Sequence, residues 1–293
     1  MNILITGGSG FIGKALVRHF TREGHLVTVL TRHALSTSNR YLSYRVWDGV
    51  EMPPALGMFD VVINLAGAGI ADEKWTDARK HEIMQSRVQA TRACVTYIRN
   101  SPNPPQVFLS ASGVGYYGIS QPGLLDEQAG TGTDFPAQVC QRWEAEAREA
   151  PCRTVLMRIG VVLGKGGGAL SKMLPFYRMM IGGKYGTGQQ GFPWIHLEDL
   201  VRAVAFAVET PALQGPVNFV APEDVTQAVF SRTLADRLGV PDFFTLPKFM
   251  LDLVFGEQSL LFWGGQHVTP AQLTATGFAW TYPTLRSALK TAI

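Results

Sequence analysis

The sequence predicts an α/β fold: a doubly wound parallel sheet with a smaller, C-terminal-weighted α+β region. Three observations carry this. Short apolar runs alternate with helical patterns through the first half, which is how a parallel sheet covered on both faces is written. The first such run, Asn2–Thr6, passes at once into a glycine-rich turn and then a helical pattern. With 46% hydrophobic and 17% charged residues, the 293-residue chain can fill one large core with an appendage.

Taken in order, Asn2–Thr6 reads as a buried strand, and Phe11, Ile12, Ala15, Leu16 and Phe20 mark the following helix. Glu23-Gly24-His25 stops that helix, and Leu26–Thr31 is the second strand. A polar, turn-rich stretch follows, with a short strand near Tyr44–Val46. Asp60–Gly67 is a buried strand running into a turn of small residues. A long helix is expected over Trp75–Tyr97, closed by the proline-rich Asn100–Pro105. Gln106–Ser110 is the next strand, Phe135–Ala150 a helix, and Thr154–Ile159 a strand. Beyond these, Gly164–Gly168 and Gly182–Gly188 are glycine-rich and serve either as plain hinges or as segments closing over a ligand. A helix over Val201–Glu209, a strand over Val217–Val220 and several short helices follow. The aromatic tail from Phe244 to Ile293 is expected to pack on the main body.

The glycine turn has a specific physical logic. Gly7 permits the sharp bend off the strand, Gly10 lets the backbone approach a diphosphate, and Gly13 lets the helix pack close to the sheet. The helix N-terminus, with Phe11 and Ile12, then offers free N–H groups to the phosphate charge. The pattern predicts a Rossmann-like nucleotide-binding core over residues 1–163. Residues 164–293 are assigned to a substrate region and tail, with about 192–220 returning to the core.

A net charge of +3, with the basic residues dispersed, gives no reason to expect nucleic acid as a partner. No apolar run reaches the length of a membrane span, and no secretory signal is expected, because Lys14 interrupts the early apolar stretch. Three cysteines without metal-ligand spacing predict reduced thiols, no metal site and a cytoplasmic protein.

The residue ending the second strand selects the nicotinamide cofactor. An acid there would bind the ribose hydroxyl of NAD; this strand ends Thr31-Arg32-His33. Arg32 can pair with a 2′-phosphate and Thr31 can donate beside it, which points to NADP (NADPH). The other reading of Arg32 is a solvated charge at a strand end.

Several motifs now converge: Thr6–Gly13, Asn64–Gly67, Ser110–Ser112, Arg158–Gly164 and Trp194–Asp199. Together they resemble the extended short-chain dehydrogenase/reductases, the NAD-dependent epimerase/dehydratase class. Gly115–Gly118, Trp143–Ala147, Gly167–Leu170, Gly264–Pro270 and Thr276–Phe278 bring the chain closer to one branch of it, the atypical "epimerase family protein" of the YfcH type. The resemblance spans essentially the whole chain. It implies that Asn64, Leu65, Ala66 and Gly67 run past the adenosine and ribose. It also implies that Ser86 and Arg87 face the cofactor, although ordinary helix polarity accounts for them equally well. A small-molecule substrate follows from it, and a homodimer through the two long helices follows by analogy.

The same resemblance implies a Tyr-x-x-x-Lys pair, in which the ammonium lowers the phenol pKa. None of the eight tyrosines has a lysine four residues later. Val139 stands where the tyrosine belongs, Trp143 where the lysine belongs and Arg87 where an asparagine belongs; only the serine, Ser112, is kept. Trp143 is read either as packing or as a wall of the cleft. Tyr116 or Tyr117, just after Ser112, is the substitute proton donor, while His196 reads as structural. The leading expectation is an NADP(H)-dependent oxidoreductase of atypical type acting on a small carbonyl compound. A nucleotide-sugar epimerase/dehydratase and a non-catalytic NADP-binding sensor or interaction protein are the alternatives.

Overall fold

The computed structural model describes residues 1–119 and 121–293. Seven strands, β1 (Asn2–Thr6), β2 (Leu26–Thr31), β3 (Leu42–Val46), β4 (Val61–Asn64), β5 (Val107–Gly113), β6 (Arg153–Ile159) and β7 (Gly215–Phe219), form one sheet in the order β3-β2-β1-β4-β5-β6-β7. Every neighbouring pair is parallel. The strand order reverses between β1 and β4, which places a crevice outside the carboxyl ends of those two strands.

Helix α1 (Phe11–Arg22) covers one face of the sheet, while α2 (Asp77–Asn100) and α3 (Phe135–Ala147) pack together on the other. α4 (Gly168–Arg178) follows in the C-terminal half, and α5 (Leu197–Glu209) lies beside α1. Helix α6 (Gln227–Leu238) packs with α4 and the final helix, Leu285–Ala292, around a second apolar cluster. Side-chain caps fix the helix starts. Thr76 accepts from the Arg79 amide and Asp134 from the Ala137 amide, each satisfying an otherwise orphan N–H. Three small parallel strand pairs lie outside the main sheet: Val161–Leu163 with Trp194–His196, Gly183–Tyr185 with Phe244–Leu246, and Leu124–Leu125 with His267–Val268.

Several boundaries differ from expectation, for identifiable reasons. β5 runs on to Gly113 because its partner β6 continues alongside to Ile159, so Ser112 is a strand residue. α2 begins after Trp75, because Thr76 is the cap and the Trp75 indole turns back to donate to the Ile70 carbonyl. Tyr116 and Tyr117 lie in a single 3₁₀ turn, Val114–Tyr117, rather than an open loop. Two glycines of the 182–191 stretch serve close approach: a Cβ on Gly183 would lie 2.1 Å from the Phe244 carbonyl oxygen, and one on Gly191 2.1 Å from that of Gln266. The tail packs only in part, since the helix Lys248–Phe255 buries Leu251 and exposes Phe249 and Leu253. Among the described residues, no helix is long and apolar enough to cross a membrane.

Candidate active site

The turn after β1 closes tightly on itself. Gly7 has φ +69°, and a Cβ there would lie 2.7 Å from the Leu65 carbonyl oxygen. The Gly10 amide donates to the Gly7 carbonyl at 3.0 Å. A Cβ on Gly13 would lie 2.3 Å from that same carbonyl oxygen, so Gly13 packs against the turn itself rather than the sheet. Gly10 caps α1 without a side chain, and no acid occupies the first helical turn. The helix N-terminus therefore presents uncompensated N–H groups to any anion in the crevice. Such a cradle, in which side chains have no room, fits a diphosphate. The Phe11 ring lies against Gly164, Gly167 and Gly168, with a Cβ on Gly167 only 2.4 Å from the ring. Phe11 and the half-buried Ile12 thus have their backbone, not their side chains, at the turn.

At the end of β2, Thr31 is buried and Arg32 and His33 are exposed. No carboxylate lies within ion-pairing distance of Arg32 among the described residues. At the end of β4, Asn64 is fully buried. Its amide oxygen accepts from the Thr6 hydroxyl at 2.7 Å, and its amide nitrogen donates to the Thr91 hydroxyl of α2 at 2.8 Å. The asparagine side chain is therefore spent on tying β1, β4 and α2 together, and it sets the path of Leu65, Ala66 and Gly67. The Ser86 hydroxyl accepts from the Ala68 amide at 3.0 Å. Arg87 Nη1 donates to the carbonyls of Ala68 and Ile83 at 2.8 and 2.9 Å. Both residues thus hold the segment after β4 against α2.

The end of β5 holds a buried polar network. The Ser112 hydroxyl donates to Glu144 Oε1 on α3 at 2.8 Å. Arg158 on β6 grips the same carboxylate through two parallel bonds, Nε to Oε1 at 2.8 Å and Nη2 to Oε2 at 3.0 Å. Arg158 Nη1 also donates to the Tyr117 hydroxyl, which in turn donates to the Asn218 side-chain oxygen on β7 at 2.7 Å. Asn218 donates onward to the Thr269 carbonyl, and its backbone amide donates to Glu127. Burial pushes the Tyr117 phenol up to about 12 against the opposing pull of Arg158, and pushes the Glu127 carboxyl above its usual range. Tyr117 is fully buried with its hydroxyl engaged on both sides, whereas Tyr116 is half-buried and stacks under the Arg158 guanidinium at 3.5 Å. His196 caps α5: its Nδ1 accepts from the Glu198 amide, and its Nε2 meets the Thr291 hydroxyl.

Comparison with known proteins assigns the family and the fold. The family model described as "NAD dependent epimerase/dehydratase family" matches residues 3–220. The chain belongs to that family. A model described as a domain of unknown function, DUF1731, matches residues 246–292. Epimerase family protein YfhF of Bacillus subtilis is 38% identical over 100% of this chain and 98% of its own length. The chloroplastic SDR39U1 homolog of Arabidopsis thaliana is 37% identical over 99% of this chain and 86% of its own. A crystal structure of human epimerase family protein SDR39U1 with NADPH superposes with a TM-score of 0.91 at 35% identity, covering 99% of this chain and 98% of that one.

Within the family, the departure at α3 is now physical. Val139 and Trp143 are both buried, and the Trp143 indole N–H has no partner among the described residues. The Arg87 guanidinium lies over the Trp143 ring at 5.0 Å. Neither Val139 nor Trp143 can hold or release a proton at the acidities a reaction needs. Sequence reasoning missed Glu144, Arg158, Asn218 and Glu127. A signal did exist: Arg158 and Asn218 interrupt otherwise apolar strands, and parallel pairing sets Ser112 beside Arg158 and Arg158 beside Asn218.

Proposed function

We propose that this family member is an NADP(H)-dependent oxidoreductase acting on a small carbonyl substrate. One observation carries the reading: the Gly7–Gly13 turn excludes side chains while leaving the α1 amides uncapped, and an exposed Arg32, not an acid, stands at the end of β2. Phe11, Ile12 and the Leu65–Gly67 segment line the cofactor through their backbone, and Thr31 and Arg32 hold the 2′-phosphate. When bound, the nicotinamide supplies a hydride for a carbonyl carbon. Ser112, fixed by Glu144, orients the acceptor oxygen; Tyr116 releases its phenolic proton to that oxygen and regains one from solvent. Tyr117 steadies Arg158 rather than giving up its own proton. The YfcH-type branch, the cytoplasmic setting and a homodimer through α2 and α3 belong to this same reading, supported by the motifs around Tyr116 and Gly264, the three free thiols, and analogy respectively.

Calorimetry with NADPH and NADH tests the cofactor part. NADPH is expected to bind at least about tenfold more tightly, and Arg32→Ala to remove most of that preference, since a charge-assisted bond contributes about 1.5–3 kcal/mol. Equal affinities, or an unchanged preference in the variant, would overturn it. Tight NADPH binding without oxidation of NADPH by a panel of carbonyl compounds would favour a non-catalytic NADP-binding protein. That alternative draws support from the absence of any Tyr-x-x-x-Lys pair.

A further inference from the structure

Arg87 is a sheltered cation with no acid. Arg158 and Arg92 each use the Nε–Nη2 edge of the guanidinium to grip both oxygens of a carboxylate, Glu144 and Glu146 respectively. Arg153 is held differently, its Nη1 and Nη2 donating to four backbone carbonyls around the end of α5. Arg87 commits only Nη1, to two carbonyls. Its Nε–Nη2 edge meets no protein acceptor among the described residues, and no carboxylate lies within ion-pairing distance. Burial lowers its pKa, while the side chain keeps partial exposure to water.

Its position is as informative as its isolation. The turn after β1 abuts Leu65 and Ala66, where a diphosphate is expected; Arg87 abuts Gly67 and Ala68, further along the same segment. Its other side faces the Trp143 ring of α3, the helix whose Cys140 thiol lies against the Gly113 carbonyl at the end of β5. The guanidinium thus stands on the Ser112 side of the crevice, with its side-on fork available. A fork of that kind matches a carboxylate through two parallel bonds.

We propose that Arg87 binds substrate, and that the substrate carries a carboxylate beside its reacting carbonyl, as in a 2-oxo acid. This rests on the NADP(H) reading above and deepens it. The anion neutralises Arg87 only when substrate is present, and the two-point grip orients the neighbouring carbonyl toward Ser112. Neutral aldehydes and ketones leave the cation uncompensated and bind weakly.

The test uses protein saturated with NADP+, which permits binding without turnover. Pyruvate and phenylpyruvate are titrated calorimetrically against their methyl esters, which keep the shape and lose the charge. The acids are expected to bind about tenfold or more tightly than the esters in the wild type, and Arg87→Met, still saturated with NADP+, to remove that preference. If Arg87→Met does not fold, Arg87→Lys serves, because it keeps the charge but loses the fork; a preference reduced about threefold or more is expected. No preference in the wild type, or an undiminished one in the variants, overturns the proposal. A wild type that takes up no NADP+ refutes the cofactor reading instead, so the two failures are distinguishable.

Discussion

Glu144 and Arg158 form a two-point ion pair at 2.8 and 3.0 Å, with both side chains only 2% exposed. The carboxylate simultaneously receives the Ser112 hydroxyl, so one buried acid couples α3 to the ends of β5 and β6. Removing Glu144 strands Arg158 in the interior, and removing Arg158 leaves the buried Glu144 with only Ser112 and the exposed Arg148 among the described residues. Glu144→Gln and Arg158→Met are each expected to cost about 3–5 kcal/mol in urea denaturation, and the double replacement Glu144→Leu/Arg158→Met far less than their sum. Additive losses would show that the two side chains do not act as a unit.

Tyr117→Phe should leave Asn218 Oδ1 and Arg158 Nη1 short of a partner in the interior. A loss of about 1–3 kcal/mol in stability is expected, with NADPH affinity unchanged by calorimetry. A variant of normal stability that abolished turnover would instead restore Tyr117 as the proton donor.

His196 gives the fold a defined response to acid. Burial lowers its pKa below the ordinary 6.5, against the opposing pull of Asp199 and Glu198. The unfolded chain therefore takes up this proton first. Stability from His196 is complete above about 6.5 and declines as pH falls toward the depressed folded value. Protonating Nδ1 would also break the cap on Glu198. His196→Asn keeps a capping acceptor and does not titrate, so its thermal midpoint should fall less steeply with acid below that pH. Equal slopes in the two proteins would refute the assignment.

Gly13→Ala forces a methyl group to within 2.3 Å of the Gly7 carbonyl oxygen, a backbone atom that can yield only if the turn opens. NADPH affinity is expected to fall more than about tenfold, with far-ultraviolet circular dichroism preserved, since the collision lies outside the sheet. Retained affinity would mean that the turn does not shape the cofactor site.

What could be read from the chain was what is local. Strand, turn and helix at Asn2–Arg22 follow one another without a gap, and each residue type has one conformational reason to be there. Ser112 was equally visible as a polar residue at a strand end. Glu144 was hidden because its partners lie on β5 and β6, and an acid on an amphipathic helix usually faces water. The glycines at 164–168 read in sequence as a hinge or a closing segment because Phe11, the ring that fills the space they leave, is about 150 residues away. The aromatic content of the tail from Phe244 suggests burial, but composition does not say what covers a given face, and Lys248–Phe255 leaves Phe249 and Leu253 exposed.

That ring at Phe11 wedges the phosphate turn to the start of α4, a helix with no other tie to the amino-terminal strand evident in the chain order. A bulky replacement at Gly167 would therefore announce itself in a screen as a nucleotide defect, although the altered position lies on a loop of the opposite half. Distance along the polypeptide is a poor guide to which lesions disable coenzyme uptake here.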